Sequence, residues 1–404
     1  MKIGVIADDF TGASDAASFL VKQGVKTGLF TNIEVQEAAN FDAIVIALKS
    51  RSVDATKAVE MIEKALSLLK SVGCDRFYFK YCSTFDSTKK GNIGPCLDAL
   101  MESLNETYTL LCPSLPVNGR TLKQGILYVN NVRLSESSMK NHPLNPMWDS
   151  YLPNLMREQS KYPSYCISKQ EYQDAHRLAM KINEYKKSSK RFYLIPDYID
   201  DADGKQIMQV FKNLTLLSGG SGLLSHMFKN STQNIIETQN VNDFNKRSII
   251  LCGSCSKATQ KQIEQYKKLG KYVYKIDTKR LFSNKLTALQ IFEEIDLSKK
   301  EILISSCDQN QKVEGDSTCI EQLMGELAKL AIERQIHNIV VAGGETSGAV
   351  TLALGFHAFT LGEVIDPGVP ALYPLANKQI RLVLKSGNFG SLNFFQKAIG
   401  EVNE

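Results

Sequence analysis

The strongest constraint on this chain is an alternation. Short apolar runs, IGVIA (3–7), DAIVIAL (42–48), RFYFKYC (76–82), YTLLCPS (108–114), RFYLIPD (191–197) and LTLLSGG (214–220), recur between longer stretches of helical character. The pattern resumes as SIILCGS (248–254), KYVYKI (271–276), EILISS (301–306), NIVVAGG (338–344) and RLVLKSG (381–387). The intervening ATKAVEMIEKALSLLKSVG (55–73) places apolar residues three and four apart and ends on Gly73. Strand, helix, strand in this order predicts an α/β fold whose sheets are mostly parallel and flanked by helices.

At 404 residues the chain exceeds what a single core supports, so two domains are expected. Residues 231–246 are polar, Asn-rich and aperiodic and read as a linker between a domain at 1–230 and another at 247–404. The active site is expected in the cleft between them. A second irregular stretch, His142 to Pro163, carries four prolines and the only tryptophan, Trp148. With Trp148, Leu152 and Leu155 available for packing, it reads as an ordered excursion near the ligand.

A net charge of +5 and the absence of a long basic run argue against nucleic acid as a partner. No apolar stretch approaches membrane-spanning length, and the first strand opens at Lys2, leaving no room for a targeting segment. Of nine cysteines, Cys112 and Cys252 sit inside strand-like runs, the usage of reduced thiols, so a cytoplasmic protein is expected. Cys252 and Cys255 form a C-x-x-C, but no second pair completes a zinc set.

Polar chemistry gathers where strands end. IADDFTGASD (6–15) places Asp8 and Asp9 at the carboxyl edge of a sheet, with Thr11 expected as N-cap, Gly12 in the turn, and a helix running to Gly24. Paired carboxylates beside a helix N-terminus can accept hydrogen bonds from a polyol and a proton from its hydroxyl; the plainer alternative has Asp8 capping the turn and Asp9 facing water. The loop FKYCSTFDSTKKGNIG (79–94) crowds Lys80, Ser83, Thr84, Asp86 and Lys90 together, and Asn92 to Gly94 could present backbone amides. Cations for a carboxylate and hydroxyl-reading groups suit a hydroxy-acid, although Ser and Thr also serve as ordinary turn formers. Arg51 follows the second apolar run, and Asn118 and Arg120 follow the fourth, where Arg120 could grip a carboxylate with two prongs; with Thr11 and Gly12 they join the expected substrate contacts.

The second half offers different chemistry. GSCSKAT (253–259), GGETSG (343–348) and KSGNFG (385–390) each follow an apolar run with small residues whose amides can approach phosphate oxygens. Ser254, Ser256, Gly343, Gly344, Glu345, Thr346, Lys385 and Gly387 are the candidate nucleotide contacts. Glu345 could help hold magnesium through water. Neither the Walker nor the dinucleotide fingerprint is present, LSGGSGL (217–223) lacking the third glycine of the latter. IDPGVPAL (365–372) reads as a rigid loop near an adenine or interdomain pocket.

IADDFTGASD, GNIG, GGETSG, DPGVP and KSGNFG, in that order, resemble the four-carbon acid sugar kinases over nearly the whole chain. KYCSTFDSTKKGN, PVNGRT and HPLNPM look like the branch acting on 3-oxo-tetronates. The resemblance implies an N-terminal sugar-acid domain, a C-terminal ATP domain, magnesium-assisted phosphoryl transfer to the terminal O4 hydroxyl of a small four-carbon acid, and a possible homo-oligomer. It also implies that Asp8, Asp9, Arg51, Asp86 and Arg120 face the substrate, while Ser254, Gly343 to Thr346 and Gly387 contact ATP. A threonate or erythronate kinase is the rival within the family. Outside it, the missing fingerprint disfavours a nicotinamide dehydrogenase, and a sensor would not require the Asp pair beside phosphate loops.

Overall fold

The apolar runs become strands whose parallel pairing decides where polar residues collect. The computed structural model describes residues 2–32, 38, 40–142, 145–228, 247–306 and 317–401. The segment 231–246 read as a linker lies outside the described residues, as do Pro143 and Leu144 of the 142–163 excursion. The chain divides into two compact units, Met1–Asn234 and Ile235–Glu404.

The first unit contains β1 (Ile3–Ala7), β2 (Thr27–Phe30), β3 (Ala43–Ala47), β4 (Arg76–Lys80), β5 (Tyr108–Leu110), β6 (Arg120–Lys123), β7 (Ile126–Val129), β8 (Val132–Arg133), β9 (Ser164–Ile167), β10 (Phe192–Pro196) and β11 (Leu216–Gly219). Its main sheet runs β11-β4-β1-β3-β2 and is parallel throughout, so these strands deliver their carboxyl ends to one edge. After β1 the chain fills one side with β2 and β3, then crosses to place β4 on the other. Such a reversal opens the crevice where α/β sheets bind ligands. A smaller parallel sheet, β5-β10-β9, and an antiparallel meander, β6-β7-β8, complete the unit. The meander, like β2 and β9, was not legible as strand in the sequence.

The helix Phe10–Lys22 is capped by Asp9, whose carboxylate accepts the Gly12 amide. Thr11 lies inside the first turn and donates its hydroxyl to Asp9 at 2.9 Å, so the expected cap is displaced by two residues. The excursion near His142 also differs from expectation. Leu152 and Leu155 are buried, in the helix Leu152–Arg157. Trp148 is exposed instead, with the Lys89 ammonium 4.7 Å from its ring centroid. The LSGGSGL run is explained by close backbone packing. A Cβ at Gly219, Gly220 or Gly222 would lie 1.9, 2.3 or 2.3 Å from the carbonyl oxygens of Cys112, Pro113 and Ser114 respectively.

The second unit contains β12 (Ser248–Cys252), β13 (Val273–Lys275), β14 (Glu301–Ser305), β15 (Asn338–Ala342), β16 (Ala358–Asp366), β17 (Val369–Pro374) and β18 (Arg381–Lys385), in the order β16-β17-β18-β15-β12-β14-β13. β13, β14, β12, β15 and β18 are parallel, whereas β16 and β17 form an antiparallel hairpin beside β18. The DPGVP segment is the turn of that hairpin, with Gly368 at φ +80, and not a free-standing loop. Strand order reverses between β12 and β15, so the loops after these neighbours open a second crevice. Ile250, Leu303, Val340 and Val383 pack with Phe394 and Phe395 in the core beneath it. Among the described residues no helix is long and apolar enough to cross a membrane.

Gly219→Ala would force the β11 loop away from the Cys112 carbonyl. Urea unfolding should show a loss of roughly 1–3 kcal/mol, the usual cost of overpacking; an unchanged midpoint would mean that the two backbones can separate freely.

Candidate active site

Along the first unit's carboxyl edge, one backbone carbonyl assembles the polar cluster. The Asp8 oxygen accepts the amides of both Ser50 and Arg51, and the Asp8 amide donates to Lys80, which ties the ends of β1, β3 and β4 together. Arg51 consequently reaches Asp8 as a two-pronged pair, Nε to Oδ2 and Nη2 to Oδ1, both at 2.8 Å. Its Nη2 also lies 2.9 Å from Asp9 Oδ1, and Nη1 lies 3.7 Å from Asp86 Oδ2. Lys80 is buried with its Nζ on the Tyr81 carbonyl. Gly12 completes the turn because a Cβ there would sit 2.4 Å from Asp9 Oδ1 and 3.2 Å from Lys80 Nζ.

The two neighbouring carboxylates are pushed apart chemically. Burial raises the Asp8 pKa, with Arg51 working against the rise and the charge of Asp9 adding to it. Burial acts the same way on Asp9, but Arg51, Lys80, the Thr11 hydroxyl and the Gly12 amide together outweigh it and hold that pKa below its ordinary value. Burial opposes charge on Arg51, yet Asp8 and Asp9 keep the guanidinium ionised well beyond its normal range. Access separates the pair further: the Asp9 side chain is 26% exposed and that of Asp8 only 4%.

Three buried polar atoms around this cluster have no hydrogen-bond partner among the described residues: Asp86 Oδ1, Asp15 Oδ1 and Arg120 Nε. Such orphans are costly unless something else meets them. Asp86 follows Phe85, and both are held at positive φ, +40 and +62, a strained pair of the kind that concentrates at functional loops. His142 Nδ1 stands 3.5 Å from Asp86 Oδ1. That nitrogen already accepts the Asn145 amide at 3.1 Å, so it offers Asp86 no proton. Asp15, absent from the sequence reading, is buried on the helix Phe10–Lys22 one turn beyond Thr11. Its other oxygen accepts the Ser221 hydroxyl. Burial raises its pKa while Lys80 and Ser221 oppose the rise, and Arg120 acts more weakly in the same direction. A lone carboxylate in an otherwise small and apolar helix face was the signal available. Burial lowers the Arg120 pKa, and one of its terminal nitrogens folds back onto the Asn118 carbonyl.

Ser83 and Thr84 are buried in the same loop as Asp86, with Thr84 against the Cys82 thiol. Lys90 is exposed and stands apart from the cluster. The Gly94 backbone amide and the Asn92 side-chain amide are both engaged within the protein. The Asn92 side chain donates to the Ser50 and Val53 carbonyls, and the Gly94 amide donates to Gln159.

In the second unit three glycine loops converge. A Cβ on Gly253 would lie 2.2 Å from Thr346 Oγ1, one on Gly343 3.2 Å from the Ser254 amide nitrogen, and one on Gly387 2.3 Å from Ser254 Oγ. Gly343, at φ +136, caps the helix Gly344–Leu354, while a Cβ on Gly344 would meet nothing within 4 Å. The first turn of that helix therefore opens outward with its amides and with Glu345, its one acidic residue. Ser256 caps the helix Lys257–Lys268 and donates its hydroxyl to the Gly387 carbonyl. Lys385, expected to face phosphate, is instead fully buried and bound to Thr259 Oγ1 at 3.0 Å. Cys252 is buried at the end of β12 and Cys255 exposed in the loop beyond it.

Comparison with known proteins follows the same division. The description "Sugar-binding N-terminal domain" matches residues 3–227, and "Nucleotide-binding C-terminal domain" matches 249–395. The 3-oxo-tetronate kinase of Haemophilus influenzae is 39% identical over 414 residues, covering 98% of this chain and 99% of its own. That of Salmonella typhimurium is 37% identical over 417 residues and covers 98% of both. A solved Salmonella typhimurium LT2 structure, described as a presumed tRNA synthase, superposes with TM-score 0.85 at 37% identity over 100% of both chains. A Haemophilus influenzae structure gives 0.77 at 38% identity, covering 98% of this chain and 99% of that one. The sugar-binding description thus falls on the first unit and the nucleotide-binding description on the second, the pairing found in a kinase. The chain belongs to the four-carbon acid sugar kinase family.

Removing Arg51 leaves Asp8 and Asp9 side by side without their shared cation. Arg51→Met should lower folding stability by about 1–3 kcal/mol, the usual cost of leaving a buried acceptor such as Asp8 without its partner, and abolish acid binding. Denaturation and calorimetry together check this, and a variant of native stability that still binds the acid would contradict it.

Proposed function

We propose that this protein transfers the γ-phosphoryl group of ATP to the O4 hydroxyl of a 3-oxo-tetronate. The observation that carries the acid side is the set of orphaned buried atoms beside Arg51 and Lys80. A four-carbon acid supplies what they lack: a carboxylate for Arg120 Nε, and hydroxyl groups for Asp86 Oδ1 and Asp15 Oδ1. Relatives matching over nearly their whole length carry the name 3-oxo-tetronate kinase, which supports this choice of acid.

Phosphoryl transfer is mainly positioning and charge neutralisation, with little covalent work for the protein. Asp9 is the more open carboxylate, and its three donors fix it rigidly, so it orients the acceptor hydroxyl and takes its proton. A weak base suffices where the transition state is loose. Asp8 holds Arg51 at the angle that serves the site. On the nucleotide side, the amides of the first turn of the helix Gly344–Leu354 and those of Gly387, Asn388 and Gly390 receive the phosphates. No cluster of three metal-ligating side chains occurs among the described residues. The donor set thus fits a magnesium ion carried in chiefly by the phosphates, with Glu345 the carboxylate at hand; bound there, it would neutralise phosphate charge.

An ADP-release assay over a panel of four-carbon acids tests the reading. Highest kcat/KM on a 3-oxo-tetronate is expected, and faster turnover of threonate or erythronate would move the protein to another branch. Asp9→Asn should lower kcat by about 100- to 10,000-fold with little change in ATP KM. In Asp8→Asn the hydroxyl contact survives, so acid KM should suffer more than kcat; the reverse pattern in the two variants would exchange their roles.

A further inference from the structure

The loop Ser386–Ser391 is held from below by almost every carbonyl it has. Ser256 Oγ and Thr259 Oγ1 both donate to the Gly387 oxygen, the latter at 2.9 Å. Lys385 Nζ donates to the oxygens of Ser386 at 3.1 Å and Gly387 at 3.2 Å. Gln262 Nε2 reaches the oxygens of Phe389, Gly390 and Ser391 at 3.2, 2.9 and 2.9 Å. Asp366 then fixes the far end, accepting both the amide and the hydroxyl of Ser391 at 2.8 Å.

In a trans peptide the carbonyl and the following amide point in opposite directions, and the described chain has no cis bonds. Drawing the carbonyls of Ser386, Gly387 and Phe389 inward therefore turns the amides of Gly387, Asn388 and Gly390 outward. An array of outward amides is a phosphate receptor. Lys385 supplies the unusual part of the staple. Its ammonium is fully buried and its three protons meet Thr259 Oγ1 and two loop carbonyls, with the Phe394 ring centroid 5.7 Å away and no carboxylate among these partners. Burial lowers its pKa to about 8. An ammonium kept in such a place, spending its whole donor capacity on its own loop, is not poised to reach a ligand.

We propose that Lys385 and Gln262 are positioning residues that hold the 386–391 loop with its amides turned toward nucleotide phosphates, so that the loop meets the phosphate and the ammonium does not. This rests on the reading of that loop as part of the nucleotide site. Gln262 was invisible in the sequence, one polar residue on a polar helix. Both residues act through the loop's shape, so their loss should appear as nucleotide affinity and not as chemistry.

Gln262→Leu and Lys385→Met test this by ADP calorimetry, steady-state kinetics and hydrogen exchange of the loop amides in the full chain. Each should raise the ADP Kd and ATP KM about tenfold, equivalent to losing one or two hydrogen bonds. The kcat at saturating ATP and the acid KM should hold, and exchange at 387–390 should accelerate. If Lys385→Met fails to fold, Gln262→Leu, which changes no charge, carries the test. Unaltered ADP affinity and exchange in Gln262→Leu, or a large kcat loss with normal ADP affinity in Lys385→Met, would overturn the proposal. Gly387→Val separates the two levels: ADP binding that survives it removes the site reading itself, whereas binding lost there but intact in Gln262→Leu removes only the positioning role.

Discussion

Arg51 brings a positive charge among three carboxylates, and its partial burial ties their arrangement to its own. A guanidinium withdrawn from water must find acceptors with good geometry. Asp8 gives it a planar two-pronged partner, Asp9 a third contact, and Asp86 a longer one. Each comes from a different constraint: Asp8 is fixed by strand pairing, Asp9 by its duty as a helix cap, and Asp86 by a strained loop. This edge of the first unit is consequently stiff before any ligand arrives. The favourable environment that keeps Asp9 ionised is the same one that holds it still.

The second unit solves the complementary problem with backbone in place of side chains. Small residues at Gly253, Gly343 and Gly387 let three loops approach until a single added carbon would collide with a neighbour. The Lys385 ammonium lies beneath the 386–391 loop and donates its protons to that loop's carbonyls and to Thr259. A helix terminus and outward amides suit phosphate because they carry partial positive charge in fixed directions without a flexible side chain to order.

How much of this could be read in the sequence depended on whether position along the chain determined position in space. Asp8, Asp9 and Arg51 were legible because strand ends in a parallel sheet share an edge, and the runs before them were unmistakable. The glycine loops were legible for the same reason. Asp15 escaped because its partner Ser221 is 206 residues away, brought near only by the packing of β11. The cap moved from Thr11 to Asp9 since both residue types serve equally well and only the actual first helical residue decides between them. Lys385 was placed wrongly for a more basic reason. β18 is buried on both faces, so no alternation marks which way its last residue points. The β16–β17 hairpin hid behind a Pro-Gly pair that signals a turn of any kind.

Trp148 gives the acid site an optical consequence. It is the chain's only tryptophan, it stands partly in solvent under the Lys89 ammonium, and Lys89 lies three residues from Asp86. His142, six residues before Trp148, approaches Asp86 from the same excursion. Indole emission responds to nearby cations and to hydration, so fluorescence excited beyond the absorption of the fifteen tyrosines reports from this one corner. Occupancy of the proposed acid site would become visible as a change of colour in a single side chain.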